Sequence, residues 1–198
     1  NTNTPYSFET KFGCVCDKVG SGKSLTVLGT IANEPFLKPS RNVVQKFSGD
    51  LILYQDVVRT LPVNILVVPH GIISQWETYI NDFTNLSYHI LNKQKNLNDF
   101  ETKINQYVQQ QNNIEEDFNF DILLVSSSVY NKLGGLLMHI RINRLIVDEV
   151  DSIKVPGACK ISSEFLWLIT SSKELIQNPH GRSTLETFTF NDYLGNSR

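Results

Sequence analysis

The sequence predicts a single α/β domain built on a mostly parallel central sheet flanked by helices. Six short apolar runs are continuous rather than alternating, which is typical of strands that are buried on both faces of a sheet. Helical or polar stretches separate these runs along the whole chain. Because strands that alternate with helices pair in parallel, the two observations together favour one open α/β sheet.

The apolar runs set the bounds of the predicted strands. They are Phe12–Cys16, Asn64–Val68, Tyr88–Leu91, Asp121–Val125, Arg144–Asp148 and Phe165–Thr170. Apolar residues at helical spacing predict helices after Ser24 and over Ile72–Phe83. A third helical pattern covers Ser128–Ile140, where Gly134 and Gly135 interrupt it.

Two stretches are predicted to leave the sheet. Residues 34–50 contain Pro35, Pro39 and Gly49, which indicate an irregular loop. Residues 92–118 are polar, and their composition favours a solvated insertion without chemistry. The alternative for this insertion is a surface helix with a thin apolar stripe. That stripe would consist of Ile104, Tyr107 and Val108, and the tail from Lys173 is expected to run over the surface.

Length and composition limit the class of protein. A chain of 198 residues suffices for one well-buried domain but not for two large ones. Residues 1–10 are polar and no apolar run is long enough to span a bilayer, so neither a secretory signal nor a membrane partner is expected. The net charge of −2 argues against a strongly basic nucleic-acid coat protein, but it leaves room for a local binding groove.

Cysteine usage indicates a reducing compartment. The chain has three cysteines, Cys14, Cys16 and Cys159. Cys14 and Cys16 would share one face of a strand, but too few further Cys or His residues lie nearby in the sequence for a four-ligand metal site. We therefore expect reduced, buried cysteines that act as small apolar side chains. This predicts an intracellular location (nucleus, cytoplasm or virion) rather than secretion.

The segment Asp17–Ser24 predicts a phosphate-binding loop between the first strand and the first helix. It reads Asp-Lys-Val-Gly-Ser-Gly-Lys-Ser, with Asp17 where the general pattern has glycine. In such loops the lysine, here Lys23, reaches the β and γ phosphates, and the hydroxyl of Ser24 ligates magnesium. The following helix adds its positive dipole end. The other interpretation is a flexible turn with a solvated lysine. The backbone residues that would cradle the phosphates are Val19, Gly20, Ser21 and Gly22.

An acidic pair supplies the second half of a predicted magnesium–ATP site. The strand Arg144–Asp148 ends in Asp148 and is followed by Glu149. Asp148 would hold hydrated magnesium, and Glu149 would orient or deprotonate the attacking water. Two exposed acids at a strand end are the alternative. Ligands of open α/β sheets bind at the carboxyl ends of the strands, which is where both the loop and the pair are predicted to lie.

Three further segments accompany the loop and the acidic pair in a fixed order. Val63–Pro69 is an apolar strand ending in proline, and Trp76 follows on a helix. Asp121–Tyr130 runs from an apolar strand into Ser-Ser-Ser-Val-Tyr, and Leu166–Ser172 ends in Thr-Ser-Ser. In this order the five segments resemble the first RecA-like lobe of superfamily-2 helicases and translocases, especially Swi/Snf-type ATPases and their viral relatives.

Each segment is similar to one motif of that family. Asp17–Ser24 is similar to Asp-Glu-Met-Gly-Leu-Gly-Lys-Thr, so Asp17 is typical of the family. Asp148–Asp151 stands where the family has Asp-Glu-Ala-His or Asp-Glu-Ala-Asp. Asp121–Tyr130 resembles the Thr-Thr-Tyr motif, and Leu166–Ser172 resembles a strand ending in Thr-Gly-Thr or Ser-Ala-Thr.

The resemblance implies an ATP hydrolase that uses ATP and Mg²⁺ and acts on nucleic acid, DNA more than RNA. It implies that two loops grip the nucleic-acid backbone through N–H groups and hydroxyls. It also implies that Thr170 and Ser172 bond to the acidic loop at Asp151 and couple hydrolysis to strand contact, while Trp76 packs in the core. The backbone-gripping candidates are Pro69, His70, Gly71, Ser74, Ser126, Ser127 and Ser128.

The family also implies a second lobe, which supplies arginines to the transferred phosphoryl group. Nothing after Thr170 resembles that lobe, and the family's adenine-reading segment is absent upstream of the loop. We therefore expect a first lobe within a larger protein, completed by a second lobe in the same or a partner chain. Alone it should bind nucleotide weakly and hydrolyse it slowly. The alternatives are a degenerate lobe with a structural or interaction role in a transcription or virion complex, and an unrelated small kinase.

Overall fold

The computed structural model describes residues 10–37, 59–109, 118–155 and 157–174, together with the backbone of 45–48 and 51–54. Within this part of the chain, the helices are α1 (Lys23–Asn33), α2 (Ile73–Phe83), α3 (Gln94–Gln109) and α4 (Tyr130–Leu136), and short 3₁₀ turns cover His70–Ile72 and Ser127–Val129. The strands are β1 (Phe12–Cys16), β2 (Gln45–Ser48), β3 (Leu51–Tyr54), β4 (Arg59–Val68), β5 (Tyr88–Leu91), β6 (Ile122–Ser126), β7 (Ile140–Val147) and β8 (Ser162–Thr170).

Six of these strands form one sheet in the order β1-β8-β7-β4-β6-β5, and every neighbouring pair is parallel. The predicted α/β class with a parallel sheet is confirmed. Cys16 pairs with Thr170 at one end of the sheet, and Val68 pairs with Ser126 further along. The strands therefore end together, and the loops that follow them meet along one side, which we call the carboxyl edge.

Helices cover both faces of this sheet. In β4, Leu66 and Val68 face one way and pack with α1 and α2, whereas Ile65 and Val67 face the other way. The second face is covered by α3 and α4. Because both faces are buried, the strands contain continuous apolar runs rather than alternating ones.

β4 and β7 begin earlier than predicted, and a buried polar cluster joins the two strands. β4 begins at Arg59 rather than Asn64, and β7 begins at Ile140 rather than Arg144. Asn143 donates to the Asn64 side chain over 2.7 Å, and the Arg144 guanidinium donates to the same oxygen over 3.1 Å. Because these polar side chains are satisfied by hydrogen bonds, they are tolerated inside the sheet.

The prediction of a solvated insertion over 92–118 is wrong for its first part. α3 spans 16 residues and lies against the second face of the sheet, between β5 and β6. Ile104 and Tyr107 are buried, as the alternative stripe required, but Val108 is 44% exposed. The stripe is wider than expected because Leu97 and Phe100 complete it at helical spacing. Residues 110–117 lie outside the described residues.

Two other predicted elements differ from the structure. α4 covers only Tyr130–Leu136 because the chain must already enter β7 at Ile140. Gly134 lies inside this helix, and a Cβ atom there would come within 2.6 Å of the Cβ of Cys159, so only glycine allows the close approach. The segment 34–50 is not wholly irregular, since β2 pairs with β3 as an antiparallel hairpin. The tail from residue 175 lies outside the described residues.

All three cysteines are free thiols, as expected, although they are half-buried rather than fully buried. The sulfur atoms of Cys14 and Cys16 are 3.2 Å apart on one face of β1. Burial and the neighbouring Cys16 raise the pKa of Cys14 to about 12, so this thiol stays protonated. None of the helices in the described part of the chain combines the length and apolarity that crossing a bilayer requires.

Candidate functional site

The predicted phosphate loop connects the end of β1 to the start of α1 at the carboxyl edge. Gly20 and Gly22 have φ angles of +81° and +86°, in the left-handed region that glycine adopts without strain. The Lys23 ammonium donates to the carbonyl oxygens of Asp17 at 2.7 Å and Lys18 at 2.9 Å. The loop therefore folds back on the Lys23 ammonium, which two of its carbonyl oxygens hold in place.

The amino end of α1 presents backbone donors at the same place. Gly22 is the N-cap, no side chain caps the helix there, and its first turn contains no acidic residue. The first intrahelical bond runs from the Thr26 N–H to the Gly22 carbonyl over 3.0 Å. The N–H groups before Thr26 have no partner within the helix and point outward with the positive dipole end, which suits an anion.

Asp148 lies just beyond β7 and is only 7% exposed. Its Oδ2 accepts a hydrogen bond from the indole Nε1 of Trp76, and its Oδ1 accepts one from the backbone N–H of Glu149, both at 2.9 Å. Burial raises the pKa of Asp148 above its usual value and the charge of Asp151 adds to the rise, while these two hydrogen bonds and the charge of Lys23 oppose it. The two hydrogen bonds fix the orientation of the carboxylate.

Glu149 lies beside Asp148 in an unusual backbone conformation. Its φ of +49° is the only positive value among the described non-glycine residues. Such conformations persist only where the surroundings enforce them, and they concentrate at functional sites. Its carbonyl accepts bonds from the N–H groups of Ser152 and Ile153 at 2.8 and 3.0 Å, which hold the turn.

The electrostatic surroundings of Glu149 also include the phosphate loop. Burial raises the pKa of the Glu149 carboxyl, and the charges of Asp148 and Asp151 raise it further. The charge of Lys23 lowers the pKa of Glu149, as it lowers that of Asp148. Because β1 and β7 both neighbour β8, the loop lysine and the acidic pair lie on one stretch of the carboxyl edge, although 125 positions separate Lys23 from Asp148 in the sequence.

The acidic turn is tied to the end of β8. The Thr170 hydroxyl donates to Asp151 Oδ1 over 2.5 Å, and the Ser172 N–H donates to the Thr170 oxygen over 3.0 Å. The structure thus places Thr170 and Asp151 together as the resemblance implied, and the backbone of Ser172 bonds to Thr170.

The two predicted backbone-gripping loops follow β4 and β6, which are neighbouring strands. His70 and Gly71 are exposed, as is Ser128, whereas Ser126 is fully buried. The Ser126 hydroxyl lies 3.3 Å from His70 Nδ1 and 2.8 Å from the Ser128 hydroxyl. Ser126 therefore links the two loops from inside, while His70, Gly71 and Ser128 stay exposed. Pro69 and Ser127 are half-buried beside them, and Ser74 is exposed on α2.

Trp76 is the residue whose place in the site the sequence analysis missed. It is 1% exposed, which confirms that it packs in the core. Its N–H nevertheless bonds to Asp148, 72 positions away. The signal available in the sequence was general: a buried tryptophan needs a partner for its N–H.

Comparison with known proteins places these features in one family. A family model described as the SNF2-related domain matches residues 6–177. A protein of Acanthamoeba polyphaga mimivirus named "putative helicase" is 31% identical over 98 residues, which are 50% of this chain and 12% of that protein. The SWI2/SNF2 ATPase core of Sulfolobus solfataricus, solved in complex with double-stranded DNA, is similar in fold with a TM-score of 0.54 at 14% identity. That match covers 89% of this chain and 31% of the archaeal chain.

Proposed function

We propose a function for this chain on the basis of its family: the chain belongs to the SNF2-related domain family. The proposed function is the ATP-binding lobe of an ATP-dependent helicase or translocase that moves along nucleic acid, DNA more than RNA. The observation that carries the proposal is the meeting of the phosphate loop with the acidic pair, where the charge of Lys23 acts on both Asp148 and Glu149.

Nucleotide chemistry would take place at this meeting point. The N–H groups of the loop and the Lys23 ammonium would hold the phosphates. Ser24 and Asp148 offer hydroxyl and carboxylate oxygens, the donors that magnesium prefers alongside phosphate oxygens and water. Magnesium, when bound, neutralises charge on the β and γ phosphates. The raised pKa of Glu149 suits a group that orients and accepts a proton from water.

Nucleic acid would bind along the same carboxyl edge. The exposed groups at His70, Gly71 and Ser128 suit phosphate contacts, which hold a strand without reading its sequence. The double-stranded DNA in the archaeal relative's structure supports DNA as the partner. The bond between Thr170 and Asp151 offers a route by which strand contact would influence hydrolysis.

A second RecA-like lobe, in the same or a partner chain, would complete the active site by supplying arginines to the transferred phosphoryl group. This lobe alone would therefore hydrolyse ATP slowly. The compartment we propose is reducing: the nucleus, the cytoplasm or a virion.

The test is ATP hydrolysis by the longest natural chain that contains this lobe, measured with and without double-stranded DNA. We expect DNA to stimulate hydrolysis and Glu149→Gln to lower kcat by about 10²–10⁴-fold, the usual contribution of a general base. Glu149→Gln should retain ATP binding, whereas Lys23→Ala should weaken it.

Lys18→Ala is the matched control, because Lys18 lies in the same loop but contacts Lys23 only through its backbone carbonyl. It should hydrolyse ATP at close to the wild-type rate. Hydrolysis that neither Lys23→Ala nor Glu149→Gln changes would contradict the proposal.

A further inference from the structure

Trp76 connects two parts of the proposed site. It lies on α2, which starts immediately after the loop Pro69–Gly71 and its 3₁₀ turn. Its indole N–H reaches Asp148 Oδ2 over 2.9 Å in the buried interior. A single helix therefore connects a candidate nucleic-acid loop to a candidate magnesium ligand.

Two hydrogen bonds determine the orientation of the Asp148 carboxylate. The Glu149 N–H holds Oδ1 and the Trp76 N–H holds Oδ2, so rotation of the carboxylate would break at least one of them. Hydrogen bonds to a charged acceptor are stronger than those between neutral groups. Carboxylate oxygens have further lone pairs, which remain for the hydration shell of a cation.

The Trp76 ring is itself fixed by packing. It is buried among residues of α1, α2 and the sheet, and it meets Tyr79 edge-on with ring centroids 6.2 Å apart. A donor on a rigid, buried ring cannot follow a rotating carboxylate. The indole N–H is therefore a hydrogen-bond donor whose position is fixed relative to Asp148.

We propose that Trp76 is a positioning residue that orients Asp148 for magnesium. This inference rests on the proposed function, since it assumes a magnesium–nucleotide complex. If Trp76 only fills the core, a residue with the same ring shape but no N–H should leave metal binding unchanged.

The first experiment measures binding of Mn²⁺ in the presence of ADP by electron paramagnetic resonance, on the same natural chain. Replacing Trp76 by benzothienylalanine keeps the shape of the ring but puts sulfur in place of the N–H. We expect Mn²⁺ to bind about 10–100-fold more weakly, the usual effect of losing a partner of a metal ligand. Trp76→Phe should weaken binding similarly, and ADP binding in EDTA should stay at the wild-type level in both.

Trp167→Phe is the matched control. Trp167 is the only other tryptophan, lies on β8 and packs against the same side of the sheet. It should bind Mn²⁺ and ADP as tightly as wild type. A double-mutant cycle with Asp148→Asn adds a second criterion: once the carboxylate is gone, Trp76→Phe should cause no further loss of Mn²⁺ binding.

The possible results distinguish the proposed function from the role of Trp76. If wild-type protein takes up no Mn²⁺ with ADP, the proposed function fails and the inference with it. If wild type binds Mn²⁺ and the benzothienylalanine variant binds it equally well, the proposed function stands but the role of Trp76 is overturned. An undiminished effect of Trp76→Phe in the Asp148→Asn background would overturn it as well.

Discussion

Asp148 and Arg144 are ionisable residues four positions apart, and both are buried. Arg144 lies inside β7, where its guanidinium donates to the Pro35 carbonyl at 3.2 Å and pairs with Glu34 at 3.5 Å. Burial lowers the pKa of Arg144 and the charge of Glu34 opposes that change. Arg144 thus anchors the segment that follows α1, whereas Asp148 bonds to Trp76 and Glu149 at the candidate site. At the scale of single residues, one buried ionisable group stabilises the fold and the other belongs to the candidate site.

His89 is a single residue whose ionisation should alter stability. Burial lowers the pKa of His89, Lys103 lowers it further and Asp99 opposes the change; the ring stacks on Phe120 with centroids 5.7 Å apart. The folded protein therefore binds this proton less tightly than the unfolded chain. Its contribution to stability is present above the unfolded pKa of about 6.5 and is lost as the pH falls below that value.

We expect His89→Gln to reduce the loss of unfolding free energy between about pH 8 and about pH 5, measured by urea denaturation at each pH. His139→Gln serves as the control because His139 is exposed, and it should retain the wild-type dependence on pH. An unchanged pH slope in His89→Gln would show that His89 is not responsible.

At the scale of elements, α3 shows how few apolar residues suffice to attach a helix. Its sequence is polar on average, yet its four buried residues lie on one side and contact the sheet. Phe118 closes this contact from the next segment, with edge-on ring packing against Phe100 and Tyr107 at 5.9 and 5.7 Å. Helical stability in proteins comes mostly from such packing of an apolar face.

Phe100→Ala should therefore destabilise the protein by about 3–5 kcal/mol, the usual cost of removing a buried aromatic ring. Val108→Ala on the same helix should change stability by less than about 0.5 kcal/mol because Val108 is exposed. Urea denaturation of both variants gives the comparison. Equal effects would mean that α3 does not pack on the sheet as described.

At the scale of the whole molecule, the order of the parallel strands assembles the site. β8 lies between β1 and β7, so its last residue, Thr170, sits between the predicted phosphate loop and the acidic pair. β4 and β6 are neighbours on the other side of β7, which places the two candidate nucleic-acid loops next to each other. The same edge therefore carries the candidate nucleotide site and the candidate nucleic-acid loops side by side.

Binding of nucleotide by the whole domain should be visible as thermal stabilisation. A ligand that binds only the folded state at 100 times its Kd adds about 2.7 kcal/mol, so Mg²⁺ and ATP should raise Tm. Lys23→Ala should lose most of this shift. No shift at millimolar nucleotide would instead favour a lobe that keeps the fold and serves as a scaffold.

The sequence by itself determined the parts whose signal is local. The apolar runs predicted all six strands of the main sheet, although the predicted starts were five residues too late in β4 and four residues too late in β7, where polar residues enter the strands. The loop Asp17–Ser24 and the pair Asp148–Glu149 could be recognised because each is contiguous and each follows a strand. A parallel sheet then required both to lie at the carboxyl edge.

Only the tertiary structure decided how distant side chains meet. The bond from Trp76 to Asp148, the bond from Thr170 to Asp151 and the cluster around Asn64 each join separate elements, and their geometry depends on strand order and register. The packing of α3 on the sheet also had to come from the structure, because the helix is polar on average and only four of its residues are buried. Local pattern identifies the chemical groups, but packing fixes their distances, and distance determines which of them act together.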